Sequence, residues 1–123
     1  MFTNNSLVIF HKVDNGYERY DVDHAFVNES ENTAIIKSGN ILKKGSYSLI
    51  PKEFYPDGLE IKKNTDLVVV GTCNLAIDNT DDKSIIDSIK ALKAAHTVYT
   101  VTGYAPKLYG SENMQHYELT LEG

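Results

Sequence analysis

The sequence predicts a mainly β fold, a small antiparallel barrel or sandwich with one amphipathic α-helix over about residues 81–96. Three observations predict it. Apolar residues recur with a period of two through most of the 123 residues, the pattern of strands that bury one face. Turn-forming residues separate these runs at short intervals. One segment alone, DDKSIIDSIKALKAAH, changes to a helical period.

The first run, LVIFHKV from Leu7 to Val13, reaches Asp14-Asn15-Gly16 and resumes as YERYDV, the signature of a hairpin with a tight turn. AFVN and TAIIKSGNIL read as further strands separated by the polar loop NESEN. Lys44-Gly45 turns the chain into YSLIP, which Pro51 ends because it has no amide hydrogen to extend a ladder. KEFYPDG is irregular and turn-rich. It leads through Leu59 and Ile61 to DLVVVG, whose run from Leu67 to Val70 predicts a strand buried on both faces, with a bend at Gly71.

In the helical segment, Ile85, Ile86, Ile89 and Leu92 form one stripe, with Lys83, Asp87, Lys90 and Lys93 largely elsewhere. Asn79 or Thr80 is the expected N-cap. Asp81 and Asp82 suit the positive end of the helix dipole, and Lys93 and His96 the negative end. About four turns long, the helix is expected to lie across an open face or end of the sheet. TVYTVTGYA and MQHYELTLEG then pair as an antiparallel hairpin across the loop APKLYGSEN, with Tyr117, Leu119 and Leu121 on one face of the last strand.

A chain of 123 residues that is 41% hydrophobic fits one domain, 1–123, with a core of its own. The single Cys73 lies in VVVGTCNLAI, where a small buried side chain in a reducing compartment is expected. MFTNNSLVIF has no basic segment and only a short apolar run, so neither a secretion signal nor a membrane span is expected, and the protein is expected to be made in the cytoplasm. The sequons at Asn4 and Asn28 carry no weight there. A net charge of −5 argues against a DNA-binding module with a basic face. Asp14, Glu18, Asp21, Asp23, Glu29 and Glu31 crowd one segment, whereas Lys37, Lys43, Lys44, Lys52, Lys62 and Lys63 crowd the next. The plain reading is a solvated face; the sharper one is head-to-tail association, with Lys43, Lys44, Lys62 and Lys63 at an interface, closing into a ring where the rotation permits.

No catalytic constellation is legible, and no catalytic, cofactor-binding or metal residue is assigned. In DVDH, a strand turns Asp21 and Asp23 to one face and Val22 and His24 to the other, which halves any metal site. His11, His96 and His116 show no metal-ligand spacing and read as surface or packed histidines. No phosphate loop, nucleophile elbow or zinc-protease helix is present, so an enzyme is not expected. Eight tyrosines are more telling, since tyrosine is enriched at interfaces. Tyr47 and Tyr117 sit in alternating strands and are expected to pack. Tyr55, Tyr104 and Tyr109 sit in or beside loops and are candidates for contact with a partner.

The order of VIFHKVDNGYERYDV, YSLIP, LEIKKNTDLVVVG and the long closing stretch from DDKSIID to ELTLEG resembles small structural proteins of tailed bacteriophages encoded among head and neck genes. In layout it is similar to head-closure or head-tail connector proteins. The resemblance covers most of the chain. It is most specific at Val98–Val101, Leu108–Ser111, Met114 and His116–Leu119. It implies a virion structural protein of the neck: a homo-oligomeric ring, dodecameric by that resemblance, which sits below the portal and gates the DNA channel. The implied partners are a portal or adaptor protein, a tail-terminator protein, and DNA that passes without sequence recognition; no membrane and no cofactor are implied. The loop Leu108, Tyr109, Gly110, Ser111, Glu112 and Asn113, held before an anchored strand, is the expected docking element. Two other classes fit the same residues: a tail-completion (tail-terminator) or minor capsid protein, and a β-barrel ligand-binding module or hydrolase, which requires a concave pocket with convergent polar groups.

Overall fold

The computed structural model describes residues 3–29, 33–35, 41–43 and 46–123. Six strands close a barrel: β1 (Asn5–Val13), β2 (Gly16–Asn28), β5 (Ser46–Pro51), β6 (Leu67–Val70), β7 (Val98–Lys107) and β8 (His116–Glu122). Around the barrel the order is β1-β2-β5-β8-β7-β6, with β6 paired back to β1 and every pairing antiparallel. The barrel, rather than the sandwich, is therefore the architecture, and closure leaves it no free edge. Between β2 and β5, β3 (Thr33–Ile35) and β4 (Ile41–Lys43) form a separate two-stranded sheet. The one α-helix among the described residues, α1, spans Asp82–Ala95. No described helix is long and apolar enough to cross a membrane.

The two unbroken apolar runs find their reason here. In β1, Leu7 and Ile9 face the barrel interior with Val22, Ile50, Val68, Val101, Leu119 and Leu121. Val8 and Phe10 face outward and join Leu67, Val69, Cys73 and Leu92 in a second core, with Ile77, Ile89 and Val98 at its margin. Helix α1 thus covers the outer face of β1 and β6, and a strand buried on both sides has no polar alternation to show. Fully burying a side chain such as Phe10 or Leu92 stabilises by about 1.5–3 kcal/mol. Of the helical stripe only Leu92 is fully buried; Ile89 packs at the margin, and Ile86 is 53% exposed.

The Asp14-Asn15 turn joins β1 to β2 as expected, with Val13 opposite Gly16. Gly16 adopts φ 147°, and a Cβ there would lie 2.1 Å from Asn79 Oδ1. That oxygen accepts from Tyr17 N at 3.0 Å while Asn79 Nδ2 donates to Tyr17 O at 2.8 Å. Asn79 is therefore occupied by β2, and the N-cap is Asp81, whose carboxylate accepts from Ser84 N at 2.7 Å.

The segment AFVN is not a separate strand. It continues β2, which runs unbroken to Asn28 because an irregularity absorbs an extra residue: Leu7 opposes Val22 and Asn5 opposes Ala25. Val22 and Ala25 both face the core in consequence, and His24 is exposed against the Phe54 ring rather than on the face of Val22. In β5 the alternation puts Ser46, Ser48 and Ile50 inward, so Tyr47, expected to pack, is 39% exposed on the outer face. Strand β7 runs on to Lys107, and the hairpin loop is accordingly 108–115 rather than all of APKLYGSEN.

Candidate functional site

The ends of β5 and β7 and the starts of β6 and β8 lie at the same end of the barrel, since Pro51 and Lys107 both oppose His116. The chain from Lys52 to Asp66 must cross that end to pass from β5 to β6. As it crosses, Tyr55, Leu59 and Ile61 drop into the barrel core and plug it. Pro51 opens this crossover with a 3-10 turn over Lys52–Phe54.

Three tyrosine rings, with near-parallel planes, cluster at the plug. Tyr55 stacks on Tyr117 with centroids 3.7 Å apart and planes 11° off parallel, and Tyr104 lies 6.2 Å from Tyr117 at 7°. Tyr55 Oη donates to the Leu59 carbonyl at 2.6 Å and lies 3.3 Å from the Tyr104 hydroxyl. Burial, then the hydrogen bond with Tyr104, pushes the Tyr55 phenol well above its ordinary range, so it remains a neutral donor. Burial likewise raises Tyr117.

Beside this stack a cleft of about 540 Å³ opens between the crossover and the 108–115 loop, lined by Lys52, Glu53, Tyr55, Asp57, Glu112, Asn113 and Gln115 among others. A second depression of about 360 Å³ borders it, sharing Lys52, Tyr55 and Asp57 and adding Glu60, Tyr104, Leu108 and Tyr117. The two linings together hold four acidic residues, Glu53, Asp57, Glu60 and Glu112, and one basic one, Lys52. None of the four takes part in an ion pair among the described residues. The Lys52 Nζ donates to Gln115 Oε1 at 3.2 Å, and its backbone amide donates to the Gln115 carbonyl at 3.0 Å.

The loop itself is braced. Gly110 takes φ 84°, Gln115 Nε2 donates to the Gly110 carbonyl at 3.2 Å, and a 3-10 turn spans Glu112–Met114. His116, at the start of β8, sits between the Met114 carbonyl (2.8 Å) and the Glu118 carboxylate (3.0 Å). Bracing the loop base leaves its apolar tip in water: Leu108 is 44% exposed, Tyr109 72% and Met114 66%.

The structure thus brings Tyr55, Tyr104, Leu108, Glu112 and Asn113 to one site, with Tyr109, Gly110 and Ser111 exposed beside it. Tyr55 is buried and Tyr104 partly so; they floor the site instead of projecting from it. Lys62 and Lys63 are exposed on the turn before Asp66. Lys43 ends β4, and Lys44 falls outside the described residues. Glu31 also falls outside them. Glu53, Asp57, Glu60 and Gln115 are members that sequence reasoning missed. The signal was the Pro51 to Gly58 stretch, which looked only irregular.

A second constellation lies outside the cleft. Asp66 is fully buried, and its carboxylate accepts from Lys12 N (2.7 Å) and Lys62 N (2.9 Å) and meets His11 Nδ1 at 2.7 Å. These partners fasten the crossover to β1, and they occupy the carboxylate with structural work. Among the described residues no three His, Cys, Asp or Glu side chains are grouped to hold a metal ion.

Fold and site together define a closed antiparallel β-barrel with a braced, apolar-tipped loop and an acid-rimmed cleft at its plugged end. The chain belongs to the family of unknown function DUF6751, whose match covers residues 2–122. No curated protein and no solved structure matches it.

Proposed function

We propose that this protein is a structural component of a tailed-bacteriophage virion, a head-tail connector of the head-closure type that forms a ring below the portal, encloses the DNA channel and receives the tail. The observation that carries the reading is the tip of the 108–115 loop. Leu108, Tyr109 and Met114 are held in water by a loop whose base is fastened to two anchored strands and to the barrel plug. Exposed apolar groups on a rigid mount are what a docking element requires, because little conformational freedom is lost on binding. The resemblance of the closing stretch to phage neck proteins supplies the kind of partner. The net charge of −5 suits a channel along which DNA slides without being held.

The reading is tested in a phage that encodes the chain. Mass spectrometry of purified virions is expected to find the protein, and particles assembled without it are expected to be full or leaking heads lacking tails. Virions that contain none of it, or normal tailed particles made in its absence, would remove the reading.

A further inference from the structure

We propose that His116 is a proton-operated latch on the 108–115 loop: as the imidazolium it ties the loop's final 3-10 turn to β8, and on losing a proton it lets that turn go. That the latch governs docking rests on the function proposed above; the latch itself is argued from the contacts of one ring.

Both nitrogens of the ring face acceptors. Nδ1 lies 2.8 Å from the Met114 carbonyl oxygen, and Nε2 lies 3.0 Å from Oε1 of Glu118. A carbonyl and an ionised carboxylate have no hydrogen to give, and a neutral imidazole carries a single N–H. Only the imidazolium supplies a donor to each, so with Glu118 ionised the geometry is that of the charged ring. When the ring loses a proton, one contact becomes a lone pair against a lone pair. The hydrogen bond to the carboxylate is charge-assisted and the stronger of the two, so the remaining hydrogen stays on Nε2 and the contact to Met114 is lost. Met114 closes the 3-10 turn and is one of the exposed apolar groups of the tip, so its release loosens the docking surface itself. Histidine is also the side chain that changes charge most readily near neutral pH. The charged groups around the ring are Glu118 on its own strand, Lys107 opposite it on β7, Lys52 next to its β5 partner Pro51, and Glu112 in the 3-10 turn. Among the described residues Glu118 is the one that meets the ring.

The test uses the isolated 15N-labelled protein. Ring 15N shifts through a pH titration give the charge and tautomer of His116. Amide exchange, corrected for its base catalysis, gives the protection of the Met114 and Gln115 N–H groups, which donate to the Ser111 and Glu112 carbonyls in the same turn. Protection is expected to fall about threefold or more as His116 loses its proton, the effect of one neutral hydrogen bond, and the neutral ring is expected to keep its hydrogen on Nε2. In Glu118→Gln the new side-chain amide can donate to Nε2 of a neutral ring whose Nδ1–H holds Met114, so the pH dependence is expected to vanish while the turn stays protected. Three results would each overturn the inference: a neutral parent ring with its hydrogen on Nδ1, an undiminished pH dependence in Glu118→Gln, or protection that ignores His116 or follows His24, which packs on Phe54 of the crossover. If the latch fails this test while particles made without the protein still lack tails, the latch falls and the proposed function stands. If the latch behaves as expected but virions contain none of the chain, the reverse holds.

Discussion

Asp66 shows how much of this structure depends on single side chains. Its carboxylate, wholly out of water, satisfies two backbone amides and a histidine from segments far apart in sequence. Asp66→Ala orphans all three donors at once, and the expected loss is about 3–5 kcal/mol in denaturant unfolding; a loss below about 1 kcal/mol would show that water reaches the site. Nothing in the sequence singled out Asp66, because two of its partners are main-chain amides, which leave no residue signature, and the third, His11, lies 55 residues away along the chain. Asp81 was more legible. Its acidity before an apolar-periodic segment suited the helix dipole, but the cap was expected at Asn79 or Thr80; Asn79 is instead paired with Tyr17, and Asp81 is the cap. The Ser84 hydrogen bonds hold the Asp81 carboxyl below the ordinary aspartate range. A carboxyl with a depressed folded pKa stabilises fully above its unfolded value of about 3.9 and loses that contribution as pH falls through the lower folded value. Asp81→Ala is therefore expected to lower the thermal midpoint at neutral pH, with the gap from the parent closing as pH drops below that window. A gap independent of pH would contradict the cap.

Strands and helix differ in how plainly they were written. The β1–β2 turn and α1 were readable from Asp-Asn-Gly and from the change of period, since both depend on neighbours within a few residues. The length of β2 was not, because the irregularity near Asp23 and His24 breaks the period of two that a reader follows. The same loss of period occurs in β7, where Val101 opposes Leu121 and Gly103 opposes Thr120. Gly103 sits close enough that a Cβ would meet Thr120 Oγ1 at 2.7 Å, and this irregularity turns Tyr104 toward the tyrosine stack beside the cleft. The helix stripe was legible as a stripe, but its depth was not: α1 lies on the outside of a closed barrel, so one residue of it is wholly covered. Leu92→Ala is expected to cost about 2–5 kcal/mol, whereas Ile86→Lys is expected to stay within about 0.5 kcal/mol, both measured by chemical denaturation. Equal costs at the two positions would mean that the helix packs through a different face.

At the scale of the whole molecule, closure depends on β6 returning to β1 and on the crossover plugging one end, pairings between segments remote in sequence. Alternation alone left barrel and sandwich equally open for that reason. The candidate site was half legible. The 108–113 loop announced itself as a glycine-bearing turn before an anchored strand, but its facing wall comes from residues 52–60, and only the fold sets the two side by side. The plugged end is therefore the part of the molecule in which a braced loop, apolar exposure and acidic residues without an ion pair among the described residues coincide. The most direct measurement replaces Leu108–Asn113 with a short Gly-Ser turn, in the purified protein and in the phage genome. Stability is expected to change only modestly, because loop-closure entropy varies slowly with length and the removed tip contributes no buried core residue. Micrographs of the mutant phage are expected to show DNA-filled or leaking heads without tails. Infectious, tailed particles at the parental yield, made with a normally folded mutant protein, would contradict the account.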